Sequence, residues 1–348
     1  MTGRTLSPRL SAEEQPGTAP YDGITPEEAR TEASDRFAAV VGSLDAGTME
    51  FPVPGSGRTA VRLAALQTIA EEDLCLARLV EGHVDALAIL AELGGPAPRA
   101  GQRWGVWAAE PPGTTLEASR SGTGWTLDGV KPYCSGARSC THALVTARVA
   151  DGRRLFAVAV DPRSCVPVEG SWQAVGMAGS DTPGVRFDRV PATAVGETEA
   201  YVRRPGFQHG GIGVAACWYG GAVAVARTLR RAATRRPDPH ADAHLGAVDI
   251  QLHAAAAVLR QAAADIDADP TDRTGDARVR SLRVRAFVES VCTEVLTRVG
   301  RATGAGPLCH DLRHARNVAD LTVYLRQHHG ERDLAELGAV LARPQDSR

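Results

Sequence analysis

Three histidines are the side chains of this chain best suited to moving a proton: His209, His328 and His329. A neutral imidazole accepts a proton near pH 7, so each of them is a candidate general base. His209 stands in a stretch, from Arg204 to Pro237, that contains no acidic residue, so no carboxylate from this stretch can take that role. An alternative is that His328 and His329 simply lie on a helix surface.

Cysteine and histidine also bind metal ions, but their spacing here does not favour a metal site. The seven cysteines form no CxxC pair, and the ten histidines form no HExxH motif or cluster with ligand spacing. We therefore predict no metal, and we expect the cysteines to be free thiols rather than a disulfide framework.

The charge balance excludes two broad classes of partner. Thirty-nine basic and 41 acidic residues give a formal net charge of −2, so nothing global attracts nucleic acid or an anionic membrane. No apolar run reaches the ~18 residues that a transmembrane helix needs. The beginning of the chain also lacks the apolar core of a secretory signal. We expect a cytoplasmic protein.

The pattern of apolar residues divides the chain into four parts. Residues 1–31 are rich in Pro, Gly, Thr and Glu and predict a disordered tail. Apolar residues spaced by three and four predict a helical domain over residues 32–100. Short apolar runs separated by Asp-Gly turns predict an all-β domain over residues 101–200. Alanine-rich stretches predict a bundle of about four helices over residues 201–348.

Three segments together resemble the acyl-CoA dehydrogenase family. Trp107–Ser119 (WAAEPPGTTLEAS) resembles a degraded copy of its Thr-Glu-Pro-Gly loop, and Gly124–Val149 (GWTLDGVKPYCSGARSCTHALVTARV) looks like its flavin-side hairpin. Gln173–Gly196 (QAVGMAGSDTPGVRFDRVPATAVG) resembles its Gly-Met-Arg-x-Ser-x-Thr strand. The resemblance implies an α+β multidomain fold with an N-terminal α-helical domain, a central β-barrel and a C-terminal four-helix bundle. It also implies FAD as cofactor.

The hairpin supplies the first set of flavin contacts that the resemblance implies. Tyr133 takes the aromatic position against the ring, Ser135 offers a hydroxyl to its N5 edge, and Cys134 lies between them. The alternative is that these residues are only a strand end and a turn.

The loop supplies a second set. Ala108 and Ala109 match backbone contacts to the flavin, and Thr115 stands where the family has a serine near the pyrophosphate and the substrate. Leu116 replaces the acidic residue that the family has next, which puts binding of the usual CoA tail in doubt.

In this family a neighbouring subunit completes the FAD site, so the resemblance also implies a homodimer or homotetramer. Arg235 or Arg236 is the basic residue near one family signature, and Arg301 and Gly304 match part of another. An arginine there would pair with pyrophosphate. The alternatives are a solvated basic helix end for the first pair and an ordinary helix-ending turn for the second.

The family's catalytic glutamate is missing. Arg316 and Tyr324 match the arginine and tyrosine that precede it, and Leu325 then occupies its place. Leucine cannot take a proton, so His209, His328 and His329 become the candidate catalytic residues. The alternative for the last two is contact with the adenine end of FAD.

These observations leave three functions open. The first is an FAD-dependent oxidoreductase of the dehydrogenase type, acting on a specialised small molecule or on a carrier- or CoA-bound substrate and passing electrons to an acceptor. The second is a flavin-dependent monooxygenase of the same fold, which needs a flavin reductase. The third is a non-catalytic homologue that binds FAD.

Overall fold

The computed structural model describes residues 25–113, 115–122, 124–235 and 237–342. The N-terminal part is helical and consists of α1 (Pro26–Asp45), α2 (Thr59–Glu72) and α3 (Leu74–Leu93). At the start of α1, the Thr25 hydroxyl accepts from the Glu28 amide, and the Glu28 carboxylate accepts from the Thr25 amide. This capping box nucleates a helix within the predicted tail, so the prediction is wrong for residues 26–31. Residues 1–24 of that tail lie outside the described part.

Seven strands follow the first helices: β1 (Trp104–Trp107), β2 (Leu116–Ser121), β3 (Gly124–Lys131), β4 (His142–Val149), β5 (Gly152–Ala159), β6 (Cys165–Pro167) and β7 (Val185–Val195). Five of them pair in the order β4, β2, β3, β7, β5, and β5 pairs again with β4. This closed ring is the predicted β-barrel. Parallel β1 lies beside β4, and β6 lies beside β7.

The C-terminal part is helical again: α4 (Ala200–Arg203), α5 (Pro205–Arg235), α6 (Pro239–Ala268), α7 (Ala277–Thr303), α8 (Gly306–His310), α9 (Leu312–Tyr324) and α10 (Glu331–Leu341). Three long helices, α5 to α7, pack together where about four were predicted. The N-terminal helix α2 packs against both α5 and α6. The helix beside these two therefore comes from the N-terminal part of the chain and not from the C-terminal part.

Helix α5 is long and apolar enough to cross a membrane by length and composition. However, 83% of that window is buried inside the protein, because α2, α3, α6, α7 and α9 all pack against it. It is therefore the central helix of the core. Most of the buried apolar residues of the barrel and of the helices form one cluster around it, and a second, smaller cluster lies between α3 and the barrel strands.

Candidate functional site

A cavity of about 480 Å³ lies where the first helix, the barrel and the last helices meet. Its walls come from the start of α1, the start of α3, Arg138 after β3, the segment 168–183 before β7, and α9. This volume lies within the range of roughly 300–1,000 Å³ that small-molecule and cofactor sites occupy. The segment 168–183, called the cavity loop below, contains part of the third segment of the family resemblance.

The cavity loop is held by two close backbone contacts. A side chain at Gly176 would meet the carbonyl oxygen of Ala319 on α9, and one at Gly179 would meet the carbonyl oxygen of Ala29 on α1. Met177 and Asp181 adopt left-handed backbone angles, with φ of 59° and 43°. Such strained positions are often found at functional sites. Glycine at two positions therefore brings α1, α9 and the cavity loop together.

The predicted flavin hairpin runs directly behind this loop. The amides of Cys134 and Gly136 donate to the carbonyl oxygens of Pro183 and Ser180, at 2.8 and 2.9 Å. The Ser135 hydroxyl accepts from Thr182 at 3.1 Å. The residues that the resemblance places beside a flavin therefore form the back of the cavity wall.

Tyr133, Cys134 and Ser135 differ strongly in exposure. Tyr133 is 54% exposed and has a φ of 54°, so its ring projects from the barrel in a conformation that a tyrosine rarely adopts. Cys134 is fully buried, and burial raises the pKa of its thiol. The carbonyl oxygen of Ser135 accepts from the Trp107 indole at 2.9 Å, which joins the hairpin to the end of β1. Because Thr182 also donates to the Ser135 hydroxyl, all three family-like segments meet at Ser135.

Ala109 and Thr115 line a second, smaller cavity of about 50 Å³ beside Lys131. The Lys131 ammonium donates to the Thr146 carbonyl and hydroxyl oxygens at 2.8 and 2.7 Å, and it lies 3.4 Å from Glu110. Burial lowers the pKa of Lys131, although Glu110 opposes this. Ala108, directly after β1, is half-buried. This part of the predicted site is therefore an ion-pair network next to the barrel.

The residues predicted from the bundle lie elsewhere. Arg235 is exposed at the end of α5, and Arg301 is exposed in the last turn of α7. Gly304 ends α7 with a φ of 64°. None of these three lines the large cavity, and Arg236 lies outside the described residues. Within one chain the structure does not bring them to the hairpin.

The three predicted histidines do not line the cavity either. His209 is buried in α5, where desolvation and the nearby Arg280 lower its pKa. His328 is buried beside Trp218, with its Nε2 3.7 Å from Asp333. His329 is exposed, and its Nδ1 lies 3.1 Å from the other oxygen of Asp333.

The position predicted to replace the glutamate is in the apolar core. Leu325 is 1% exposed, and the neighbouring Tyr324 packs edge-on against Trp218. One turn earlier on the same helix, Asp320 does line the cavity. Sequence reasoning missed this carboxylate. The only available signal was an acidic residue beside the buried stripe of an amphipathic helix, next to Leu321.

The cavity has features that fit a flavin. Trp172 lines the cavity, and its indole nitrogen is a buried donor with no hydrogen-bond partner among the described residues. Within the described part of the chain, Arg30 and Arg316 make only long ion pairs, of 3.8 and 3.7 Å, to Glu27 and Glu32. These two guanidinium groups remain available to a phosphate.

Three solved structures superpose on this chain over most of its length. KijD3, in complex with FMN and a dTDP-linked amino sugar, superposes with a TM-score of 0.73 at 20% identity, covering 91% of this chain and 90% of that one. TdsC from Paenibacillus sp. A11-2, a dibenzothiophene monooxygenase seen with FMN and indole, gives 0.73 at 16% identity, with 91% and 96% covered. Butyryl-CoA dehydrogenase from Megasphaera elsdenii gives 0.72 at 17% identity, with 93% and 92% covered.

No protein-family model and no curated protein sequence matches the chain. The three structures nevertheless cover nine-tenths or more of it in one superposition. The predicted acyl-CoA dehydrogenase-like fold is therefore confirmed.

Proposed function

We propose that this protein is a flavin-dependent oxidoreductase whose site is the large cavity between α1, the cavity loop and α9. One observation carries the proposal. The hairpin segment 134–138, which resembles a flavin-side hairpin, is hydrogen-bonded along its length to residues 180–183 of the cavity wall. A ligand in the cavity would therefore lie against the cavity loop, and the segment that the resemblance assigns to the flavin is directly behind that loop.

Several residues of the chain would hold the cofactor. The Trp172 indole would donate to the ring system, and Arg30 and Arg316 would pair with a phosphate group. The resemblance assigns the Ser135 hydroxyl to the N5 edge and the Tyr133 ring to one face. A bound flavin supplies the ability to accept two electrons from a substrate.

The nature of the flavin is part of the proposal. The family resemblance favours FAD, whereas KijD3 and TdsC were both solved with FMN. Titration of the flavin-free protein with each cofactor, followed by the quenching of flavin fluorescence, measures the preference. We expect FAD to bind at least as tightly as FMN. Failure of the protein to bind either flavin would overturn the proposed function.

The substrate is proposed as a small molecule or a carrier- or CoA-bound compound. The loss of the acidic residue at Leu116 argues against an ordinary CoA-bound fatty acid, and the three similar structures carry different ligands or names. Anaerobic bleaching of the bound flavin, with acyl-CoAs, amines and indoles as probes, would identify the class. We expect straight-chain acyl-CoAs to bleach it slowly or not at all.

A flavin-dependent monooxygenase is the second candidate. The likeness to TdsC, a dibenzothiophene monooxygenase, over 91% of this chain favours it. A monooxygenase would consume oxygen only when a flavin reductase supplies reduced flavin. A dehydrogenase would instead reduce its flavin with substrate alone and pass electrons to an artificial acceptor, so the two assays separate the candidates.

We further propose a homodimer or homotetramer. Arg235, Arg301 and Gly304 lie at the ends of α5 and α7 and do not line the cavity of their own chain, so their contribution to a flavin site would come from a second subunit. Light scattering with multi-angle detection tests this. A monomer of 36.6 kDa that binds flavin with full affinity would contradict it.

A further inference from the structure

Asp320 is a buried carboxylate without a cationic partner. It is 8% exposed on α9 and lines the large cavity. One oxygen accepts a hydrogen bond from the Met177 amide in the cavity loop, and the other lies 3.9 Å from the Cys75 thiol on α3. No arginine, lysine or histidine within the described ranges makes an ion pair with it.

The other carboxylates that line the cavity, Glu169 and Asp181, are already paired. Arg138 binds Asp181 at 2.6 Å and Glu169 at 2.8 Å, so both of those carboxylates are neutralised. Arg316 is drawn towards Glu32, and Arg30 towards Glu27. Asp320 is therefore the one carboxylate among the described lining residues that no guanidinium group holds.

A buried carboxylate of this kind destabilises the folded state. Burying an ionised carboxylate with one hydrogen bond and a weak thiol contact leaves most of its lost hydration uncompensated. Burial accordingly raises the pKa of Asp320 to about 6, and the negative charge of Asp73 adds to this. The Met177 amide, Arg316 and Cys75 act in the opposite direction. A carboxylic acid that titrates close to neutrality can both accept and release a proton at working pH.

We infer that Asp320 is the catalytic residue that takes the substrate proton in this site. The inference rests on the proposed oxidoreductase function. In the oxidation, one hydrogen leaves the substrate as a proton and forms an O–H bond to Asp320. The second hydrogen would leave the substrate with its electron pair, which a bound flavin would accept and pass on to the external electron acceptor. Asp320 then returns its proton to water.

The position explains why the sequence pattern hides this group. Asp320 lies five residues before Leu325, and the α9 face that carries it turns towards the cavity loop. Leu325 turns into the apolar core instead. A proton acceptor at the cavity therefore does not require a carboxylate at position 325.

The test compares Asp320→Asn with the wild-type protein and with Thr322→Val. Asparagine keeps an oxygen that can accept from Met177 but cannot titrate. Thr322 is exposed on the opposite face of α9 and bonds only to the Val318 carbonyl oxygen. The carboxylate band is followed by infrared difference spectroscopy against pH, without flavin and with FAD or FMN bound.

We expect one carboxyl group titrating near pH 6 in the wild type and in Thr322→Val, and its loss in Asp320→Asn. Binding of flavin should shift this titration by half a pH unit or more, because the cofactor displaces water and adds charge nearby. The midpoint potential of the bound flavin, plotted against pH, should change slope near pH 6 in the wild type. This change of slope should be absent in Asp320→Asn.

The two failures are distinguishable. If the wild-type protein takes up neither flavin, the proposed function fails, and the role of Asp320 fails with it. If flavin binds but leaves the Asp320 titration and the potential unchanged, the carboxylate does not face the reacting atoms, and only this inference is overturned.

Discussion

The thiol of Cys75 lies 3.9 Å from a carboxylate oxygen of Asp320, although the two residues are 245 positions apart in the chain. Cys75 is on α3 and Asp320 on α9, so this contact marks the point where the N-terminal and C-terminal helices close the large cavity. Burial raises the pKa of Cys75 well above its ordinary value, which keeps the thiol neutral. A neutral thiol contributes little to stabilising a charge, so Asp320 remains a group that titrates easily.

Asp320 should make the stability of the flavin-free protein depend on pH. Its pKa of about 6 in the folded state lies above the unfolded value of about 3.8. The folded state therefore binds the proton more tightly, and its advantage is fully present below pH 3.8 and is lost as pH rises to 6. We expect Asp320→Asn to remove up to about 3 kcal/mol of this pH-dependent loss. Urea unfolding at pH 4.5 and pH 7.5 measures the free energy of unfolding, with Thr322→Val as the control. The same change in this free energy between the two pH values in all three proteins would contradict the prediction.

Trp172→Phe should weaken flavin binding about fivefold. The substitution keeps an aromatic ring at the cavity but removes the indole N–H that lacks a partner among the described residues, and one neutral hydrogen bond is worth about 1 kcal/mol. Isothermal titration with FAD and FMN measures the change. Trp125→Phe is the matched control, because Trp125 lies in the barrel against Phe156. An unchanged affinity in Trp172→Phe would place the flavin elsewhere.

Ser135→Ala should shift the visible absorption of the bound flavin while leaving most of the binding affinity intact. The hydroxyl accepts from Thr182 and is the group that the resemblance aims at the N5 edge. Loss of this contact costs about 1 kcal/mol. Ser119→Ala, on an exposed part of β2, provides the comparison. Identical spectra for the two variants would argue against the hairpin assignment.

Leu325→Glu should destabilise the protein rather than restore a dehydrogenase base. The side chain is 1% exposed inside the apolar cluster, and an unpaired carboxylate there costs about 3–5 kcal/mol. Thermal unfolding should show a clear fall in the stability of Leu325→Glu. The free energy of unfolding of Leu325→Met should fall by less than about 1.5 kcal/mol. A stable Leu325→Glu protein with new acyl-CoA activity would show that position 325 faces the site after all.

The elements that depend on periodicity were predictable from the sequence, and the contacts between distant elements were not. The alternation of short apolar runs with Asp-Gly turns predicted the barrel because each strand has one buried face. The capping box at Thr25 and Glu28 was readable in principle, but the polar composition around it masked the start of α1. The approach of Asp320 to Met177 depends on how α9 packs, and a motif aligned on Tyr324 instead directed attention to Leu325.

The three predicted histidines do not line the cavity, and the sequence could not show this for a similar reason. A lone histidine on a helix has no sequence signal that tells a ligand-facing position from a packed one. His209 is buried near Arg280 of α7, and His328 lies against Trp218 and Asp333. Their involvement in catalysis remains a prediction, which His328→Gln tests beside Asp320→Asn in the same infrared and potential measurements.

The walls of the large cavity come from segments that the ribosome makes at different times. Residues 26–30 of α1 are made first, and residues 312–320 of α9 are made almost three hundred positions later. Domains emerge from the ribosome in chain order, so the barrel and its hairpin can fold while the site still lacks one wall. A cofactor can therefore be enclosed only after α9 has emerged, and a nascent chain stalled before it should fold its barrel yet retain no flavin.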